Sequence, residues 1–201
     1  YKRVDSIRGV KKSFIGSGVR YDLLLHKTGD KQKDENTAKY TEELIKNHVS
    51  GRLKVAPEHT EESVLRVMRK PPFEQFRRFR DIFNRINRDN RLNQQLIPYF
   101  ISSHPGSTVE SMAALAAETK ELNFHLEQVQ DFTPTPMTMA TEMYYTGINP
   151  ETGDKIFCAK NMRDKEEQRL FFFWYKGEEQ KRIRAILKKM GRHDLLRKLG
   201  L

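Results

Sequence analysis

Four short apolar runs rich in β-favouring residues, at 13–16, 53–56, 96–102 and 126–129, begin about 40, 43 and 30 residues apart. Each interval is long enough for one crossover, and the text between runs has helical rather than alternating periodicity. That alternation restricts the chain to an α/β arrangement: about four parallel strands joined by right-handed crossover helices.

The intervening helices carry their own start and stop signals. The first is expected over 35–48, with Tyr40, Leu44 and Ile45 on its buried stripe. Thr60 is placed to cap the next, Glu61 and Glu62 suit its positive end, Val64, Leu65 and Met68 face inward, and Pro71 and Pro72 stop it. Phe73, Phe76, Phe79, Phe83 and Ile86 then recur at helical spacing, with Arg77, Arg78, Arg80, Arg85 and Arg88 on the other side. Ser107 followed by Glu110 reads as a capping box opening a helix through Met112, Ala116 and Leu122. Beyond Asp131 the Pro- and Thr-rich stretch 133–141 reads as irregular. Residues 144–157 read as a short hairpin around Asn149 and Gly153, and the text from Asn161 onward is helical and basic. The organisation expected is therefore 1–140 for the strand and helix part and 141–201 for a C-terminal extension.

Charge and cysteine content narrow the function classes. Of 201 residues, 37 are Lys or Arg and 27 Asp or Glu, a formal net charge of +10 with a pI near 9.7, which favours anionic partners. The longest apolar stretch, Leu170 to Tyr175, is far short of a membrane span, and no secretory leader is visible, so no membrane partner and a cytoplasmic location are expected. One cysteine, Cys158, excludes an internal disulfide framework and any metal cluster held by cysteines of this chain alone. At the end of an apolar run it reads as a buried, inert thiol, and the aromatic run Phe171 to Tyr175 as core.

In parallel α/β sheets ligands sit at the carboxyl ends of strands. The residues to read are Ser17, Arg20, Tyr21 and Asp22; Glu58, His59 and Thr60; Ser102, Ser103 and His104; and Gln130, Asp131 and Thr133. Glu58 at a strand end can accept from an ammonium group or a ribose, and Lys70 one helix later can meet a carboxylate. The plainer alternatives are that Glu58 pairs with a helix N-terminus and that Arg20 and Asp22 pair with each other. Glu58, His59, His104 and Asp131 together also have the chemistry of a divalent-metal site, though without a short-spaced pair of ligands.

The run LKVAPEH at 53–59 with TEESVLRVMRK at 60–70 resembles the fourth strand and helix of radical S-adenosylmethionine enzymes, and PYFISSHPGS at 98–107 resembles their fifth strand. The longer words HVSGRLKVAPEHTE, QQLIPYFISSHPGST, LEQVQDFTPTPMTMATEMYYTG and FFFWYK resemble the YgiQ-type family, large bacterial radical S-adenosylmethionine proteins of uncharacterised function. The resemblance implies a partial (β/α) barrel running from near strand three through strand six, followed by the C-terminal hairpin and helical extension. It implies an upstream Cys-x3-Cys-x2-Cys loop that holds the 4Fe-4S cluster. The missing N-terminal part of the same protein is thus an expected partner, and no cofactor is expected on this chain alone. In the intact parent S-adenosylmethionine on the reduced cluster would yield a 5'-deoxyadenosyl radical acting on an unknown substrate. Position by position, Glu58 matches the residue meeting the methionine or ribose part and Lys70 the basic residue meeting its carboxylate. Tyr99 stands where relatives carry a polar residue near the ribose, Ser17 and Arg20 match a cofactor-facing strand end, and Gln130 and Asp131 stand near the adenine or substrate. No catalytic residue is assigned and no metal ligand.

Two alternatives stay open on the residues. One is a metal-dependent hydrolase using Glu58, His59, His104 and Asp131. The other is an RNA-binding module built on Lys181, Arg182, Arg184, Lys188, Lys189, Arg192, Arg197 and Lys198, for which the plain alternative is a basic amphipathic helix packed on the fold.

Overall fold

Three of the four apolar runs are strands in the computed structural model, which describes the backbone of residues 1–201 and every side chain but that of Gln128. In chain order the elements are α1 (Lys2–Asp5), α2 (Tyr21–Leu25), α3 (Lys31–His48), β1 (Arg52–Glu58), α4 (Glu62–Val67), α5 (Phe73–Asp89), β2 (Gln95–Ser102), α6 (Val109–Glu121) and β3 (Gln128–Asp131). They continue as α7 (Met139–Thr146), α8 (Met162–Leu170), a 3-10 turn (Phe171–Phe173), α9 (Gly177–Lys189) and α10 (His193–Leu199). The strands form one three-stranded parallel sheet in the order β1-β2-β3. β2 and β3 run in register from Tyr99 opposite Gln128 to Ser102 opposite Asp131.

The chain divides into two compact units. One holds Tyr1–Ala56 and Glu74–Pro98, the other Pro57–Phe73 and Tyr99–Leu201, so β1 and β2 each begin in the first and end in the second. In the first unit, Asp30 caps α3 by accepting from the amides of Gln32 and Lys33, and Leu44 and Ile45 are buried. Phe76, Phe79 and Phe83, one turn apart on α5, are sealed from water, and Tyr21 meets the first two with ring centroids 6.0 Å from Phe76 and 5.9 Å from Phe79. Of the arginines of α5, Arg78, Arg85 and Arg88 are exposed on the other side and Arg77 and Arg80 are half-buried.

The expected first strand at 13–16 is absent. Phe14 is 48% exposed, and the stretch makes isolated backbone bonds, Ile15 N–H to the His48 carbonyl and Val19 N–H to the Lys54 carbonyl, in place of a ladder. Gly16-Ser17-Gly18 breaks the pleat, and a Cβ on Gly18 would stand 3.2 Å from the Lys54 oxygen, so this is a close-packed coil against β1. With no alternating face to bury, an apolar run of four residues does not become a strand.

In the second unit, α6 packs against α8, the 3-10 turn and α10. Its core is Met112, Leu115, Ala116, Phe171, Phe172, Ile183 and Leu187, with the Trp174 indole donating to Thr119 at 3.2 Å. The aromatic run is therefore core, as its density of apolar surface suggests. The capping box falls one residue later than the spacing suggests: Thr108 accepts from the Ser111 amide and the Ser111 hydroxyl accepts from the Thr108 amide. Ser107 is instead drawn inward. The expected hairpin reduces to a single antiparallel bridge, Ile148 with Lys155. Its first arm is taken by α7, which Thr138 caps and Gly147, at φ 71°, ends. Arg69 ties the intervening loop back by an ion pair to Glu151. Among the described residues no helix is long and apolar enough to cross a membrane.

Candidate functional site

The carboxyl ends of all three strands lie in the second unit and present Glu58, Ser102 and Asp131. Two residues there adopt left-handed backbone conformations that side chains with a Cβ disfavour: Glu58 at φ 67° and Ser103 at φ 61°. At Glu58 the distortion turns the chain sharply into His59, whose Nδ1 accepts from the amides of both Thr60 and Glu61 at 3.0 Å. The imidazole thus holds the entry to α4, the job assigned from sequence to Thr60, and the Thr60 hydroxyl is left without a partner.

Glu58 is mostly buried. One oxygen accepts from the Lys70 ammonium at 3.1 Å, with side-chain exposures of 12% for Glu58 and 36% for Lys70, and the other is buried with no donor. Burial pushes its carboxyl above the ordinary carboxylate range, opposed by Lys70. Burial also raises the Tyr99 phenol, with the Glu58 charge adding to it. Tyr99 donates to the Gln130 side-chain oxygen across the β2–β3 pair. His59, wholly enclosed, is held down to about 3, first by desolvation and then by the nearby His104. Its Nε2 lacks a partner, as does the buried Ser103 hydroxyl. Four buried polar atoms without partners, on Glu58, His59, Thr60 and Ser103, therefore concentrate on the loops leaving β1 and β2, where each destabilises the fold until something meets it.

Asp131 is fully engaged. Its Oδ1 accepts from Ser102 at 2.5 Å and its Oδ2 from Arg169 at 3.0 Å. Arg169 and its neighbour Gln168 come from α8 and carry no local signal of a role. Gln168 is fully buried and accepts from the Ser103 amide at 2.8 Å and the Ser107 hydroxyl at 2.9 Å, while donating to the Ser107 carbonyl at 2.8 Å. The extension thereby clamps the turn from Ser103 to Ser107. Gly106, at φ 87°, closes that turn with its amide on the Phe157 carbonyl at 2.8 Å.

Ser17 and Arg20 belong to the first unit. Arg20 grips Asp22 through two bonds of 2.8 and 2.6 Å, the plainer of its two readings, and among the described residues the Ser17 hydroxyl bonds only the neighbouring Gly18 carbonyl, at 3.5 Å. The structure thus gathers Glu58, Lys70, Tyr99 and Asp131 into one unit and leaves Ser17 and Arg20 in the other. Among the described residues no three His, Cys, Asp or Glu side chains are grouped to hold a metal ion, so the four-residue hydrolase set does not assemble. Cys158 is half-buried and its thiol, pushed up by burial, donates to the Met143 carbonyl at 3.3 Å.

Residues 127–198 match the profile of a family described as a domain of unknown function, DUF3362. Over 199 residues the chain is 65% identical to a UPF0313 protein of Bacteroides thetaiotaomicron, covering 99% of the chain and 32% of that relative. It is 59% identical to a UPF0313 protein of Porphyromonas gingivalis, covering 98% of the chain and 31% of the relative, and 39% identical to one of Methanocella arvoryzae, covering 96% and 31%. The chain spans about a third of the length of the curated relatives it matches. The similarity to part of a UPF0313 protein therefore runs over nearly the whole chain, and UPF0313 is the YgiQ-type family that the sequence words resemble.

Proposed function

We propose that this chain is the cofactor-contacting part of a radical S-adenosylmethionine iron–sulfur protein, in which Glu58 accepts from the ammonium group or ribose of S-adenosylmethionine and Lys70 meets its carboxylate. The observation that carries the reading is the Glu58 carboxylate. It is held at a strand end in a left-handed conformation, one oxygen on Lys70 and the other buried with no donor. A carboxylate oxygen takes up to two donors, and a ribose hydroxyl or an ammonium group supplies them. Lys70 has three donors and spends one on Glu58. Its remaining two suit a carboxylate, although without the paired fork of an arginine.

A cysteine-held cluster does not fit the residues of this chain, whose single cysteine is engaged with Met143; its ligands would come from elsewhere in the longer protein. When bound, S-adenosylmethionine and its cluster supply hydrogen-abstraction chemistry. The residues here bind and orient. Glu58 and Lys70 fix the polar end of the cofactor, Tyr99 and Gln130 line the floor beside it, and Gln168 holds the β2 loop in its strained turn. The similarity to UPF0313 proteins over nearly the whole chain supports this frame.

The test uses the full-length relative from Bacteroides thetaiotaomicron, reconstituted anaerobically with iron and sulfide, wild type beside Glu58→Gln at the matching position. Iron content is expected to be equal in the two and S-adenosylmethionine affinity to fall at least tenfold in the variant. A wild-type protein that takes up no iron, or a variant that binds the cofactor as tightly as wild type, rejects the reading.

A further inference from the structure

Between residues 181 and 201 the chain carries eight Lys and Arg against a single Asp. On α9, Ile183 and Leu187 are sealed in the core. At 100° per residue Lys181, Arg182, Arg184, Lys188 and Lys189 fall on the opposite side, all exposed. Lys181, Arg184 and Lys188 form a row at three- and four-residue spacing, which sets neighbouring Cβ atoms about 6 Å apart. Arg182 pairs with Glu179 at 3.7 Å and Arg192 with Asp194 at 2.7 Å. Lys181, Arg184, Lys188 and Lys189 have no ion-pair partner among the described residues.

The contrast with α5 shows that this is not simply what a basic helix does. There Arg78 pairs with Glu74 at 3.5 Å, Arg80 with Asp81 at 3.0 Å and Arg88 with Asp89 at 3.7 Å, so that face is largely neutralised from within. The α9 row is a set of like charges held close together without compensation, which raises the energy of the free protein and is relieved by a polyanion. Beside the row, between α9 and the start of α6, runs a groove floored by Val109, Ala185, Ile186 and Met190 and rimmed by Lys189. The two carboxylates on its edge are spoken for: Glu110 by Arg192, and Glu167 by Arg163 at 2.9 Å.

We infer that the exposed face of α9 binds single-stranded nucleic acid, its phosphates along Lys181, Arg184 and Lys188 and an unstacked base in the apolar groove beside Lys189. An anionic membrane would use the same charges, but a membrane-surface helix needs a free apolar face, and that of α9 is buried. A duplex offers the phosphates and keeps its bases stacked, leaving the groove unused. The surface is separate from Glu58 and does not depend on the proposed cofactor chemistry.

The test is fluorescence anisotropy of labelled 20-nucleotide RNA and DNA, single-stranded and duplex, titrated with the full chain. Four phosphate contacts on a single strand, the three of the row and a fourth by Lys189, predict a slope of log affinity against log salt of about −2.8, or about 50-fold weaker binding at 200 mM than at 50 mM salt. The triple variant K181A/R184A/K188A is expected to reduce that slope to about −0.7. R78A/R88A on α5 is expected to leave it unchanged, and A185E, which sets a carboxylate in the groove, to narrow the preference for single strands. Tighter binding of single-stranded RNA or single-stranded DNA than of the duplex bears the inference out, and the tighter of RNA and DNA names its source. Absence of any anisotropy change at 50 mM salt overturns it, as does a triple variant that binds like wild type, an equal loss from the α5 variant, or a duplex bound as tightly as the single strand.

Discussion

Two adjacent residues, Glu58 and His59, show burial moving an acid and a base in opposite directions. Both are desolvated, which favours the neutral form of each. For Glu58 the folded carboxyl is raised above its ordinary value. Its stabilising contribution is therefore present below that ordinary value and lost as pH rises through the raised one. Glu58→Gln is expected to raise the urea midpoint of the chain at pH 7 and to leave it nearly unchanged near pH 4, the pattern of a group kept for binding at some expense of stability. A variant less stable than wild type at pH 7 would mean that the Lys70 pair outweighs desolvation. His59 runs the other way. Its folded value is depressed to about 3, so its contribution is present above the ordinary value of 6.5 and lost as pH falls toward 3, at up to about 1.4 kcal/mol per pH unit. His59→Asn places an acceptor near the Nδ1 position and does not titrate. Its stability is expected to fall less steeply than that of wild type between pH 6.5 and 4, and parallel curves would show that His59 is not the group responsible.

Among the elements, the amphipathic helices were the most legible. α5 follows its Phe spacing residue for residue because every turn repeats the same instruction, whereas the run at 13–16 suggests a strand by composition alone and has no periodic face to enforce it. The turn between β2 and α6 lies at the other extreme. His104, Pro105 and Gly106 announce a turn, but what holds it is Gln168, 61 residues beyond Ser107 and 65 beyond Ser103. Gln168→Leu removes three buried hydrogen bonds and strands their partners, an expected loss of about 3 kcal/mol in urea unfolding. In hydrogen exchange the Ser103 amide is expected to lose protection first. Gly106→Ala tests the same turn through its backbone. At φ 87° with Val67 and Ile156 atoms 3.4 and 3.5 Å from the added methyl, it is expected to cost about 1–2 kcal/mol. A silent substitution at either position would show that the turn is held by other means.

At the scale of the molecule, each unit has a core of its own, and the aromatic residues deepest in each make the division testable. Phe79 in α5 and Phe172 in the 3-10 turn are both fully enclosed, and truncation of either to Ala is expected to cost about 3–5 kcal/mol. With Phe79→Ala the loss of amide protection is expected to concentrate in α3 and α5. With Phe172→Ala it is expected in α6 and α8. Loss spread evenly over both units in either variant would show one cooperative core. The net charge of +10 is likewise a property of the whole chain, yet what it does depends on which cations are compensated, and that differs between α5 and α9.

The order of elements from β1 through β3 and the buried faces of α5, α6 and α9 are legible in the amino-acid sequence, because periodicity and capping are local and repeat within a few residues; the coil at 13–16 and the helix α7 are not. The left-handed turn at Glu58, the capture of Asp131 by Ser102 and Arg169 and the Gln168 clamp were decided only by the tertiary structure. Each depends on which distant groups the packed chain brings within hydrogen-bond reach, and on which polar atoms it buries without a partner. A sequence states the chemistry of a carboxylate; burial and the nearest donor decide whether it is a tie, like Asp131, or an open seat, like Glu58.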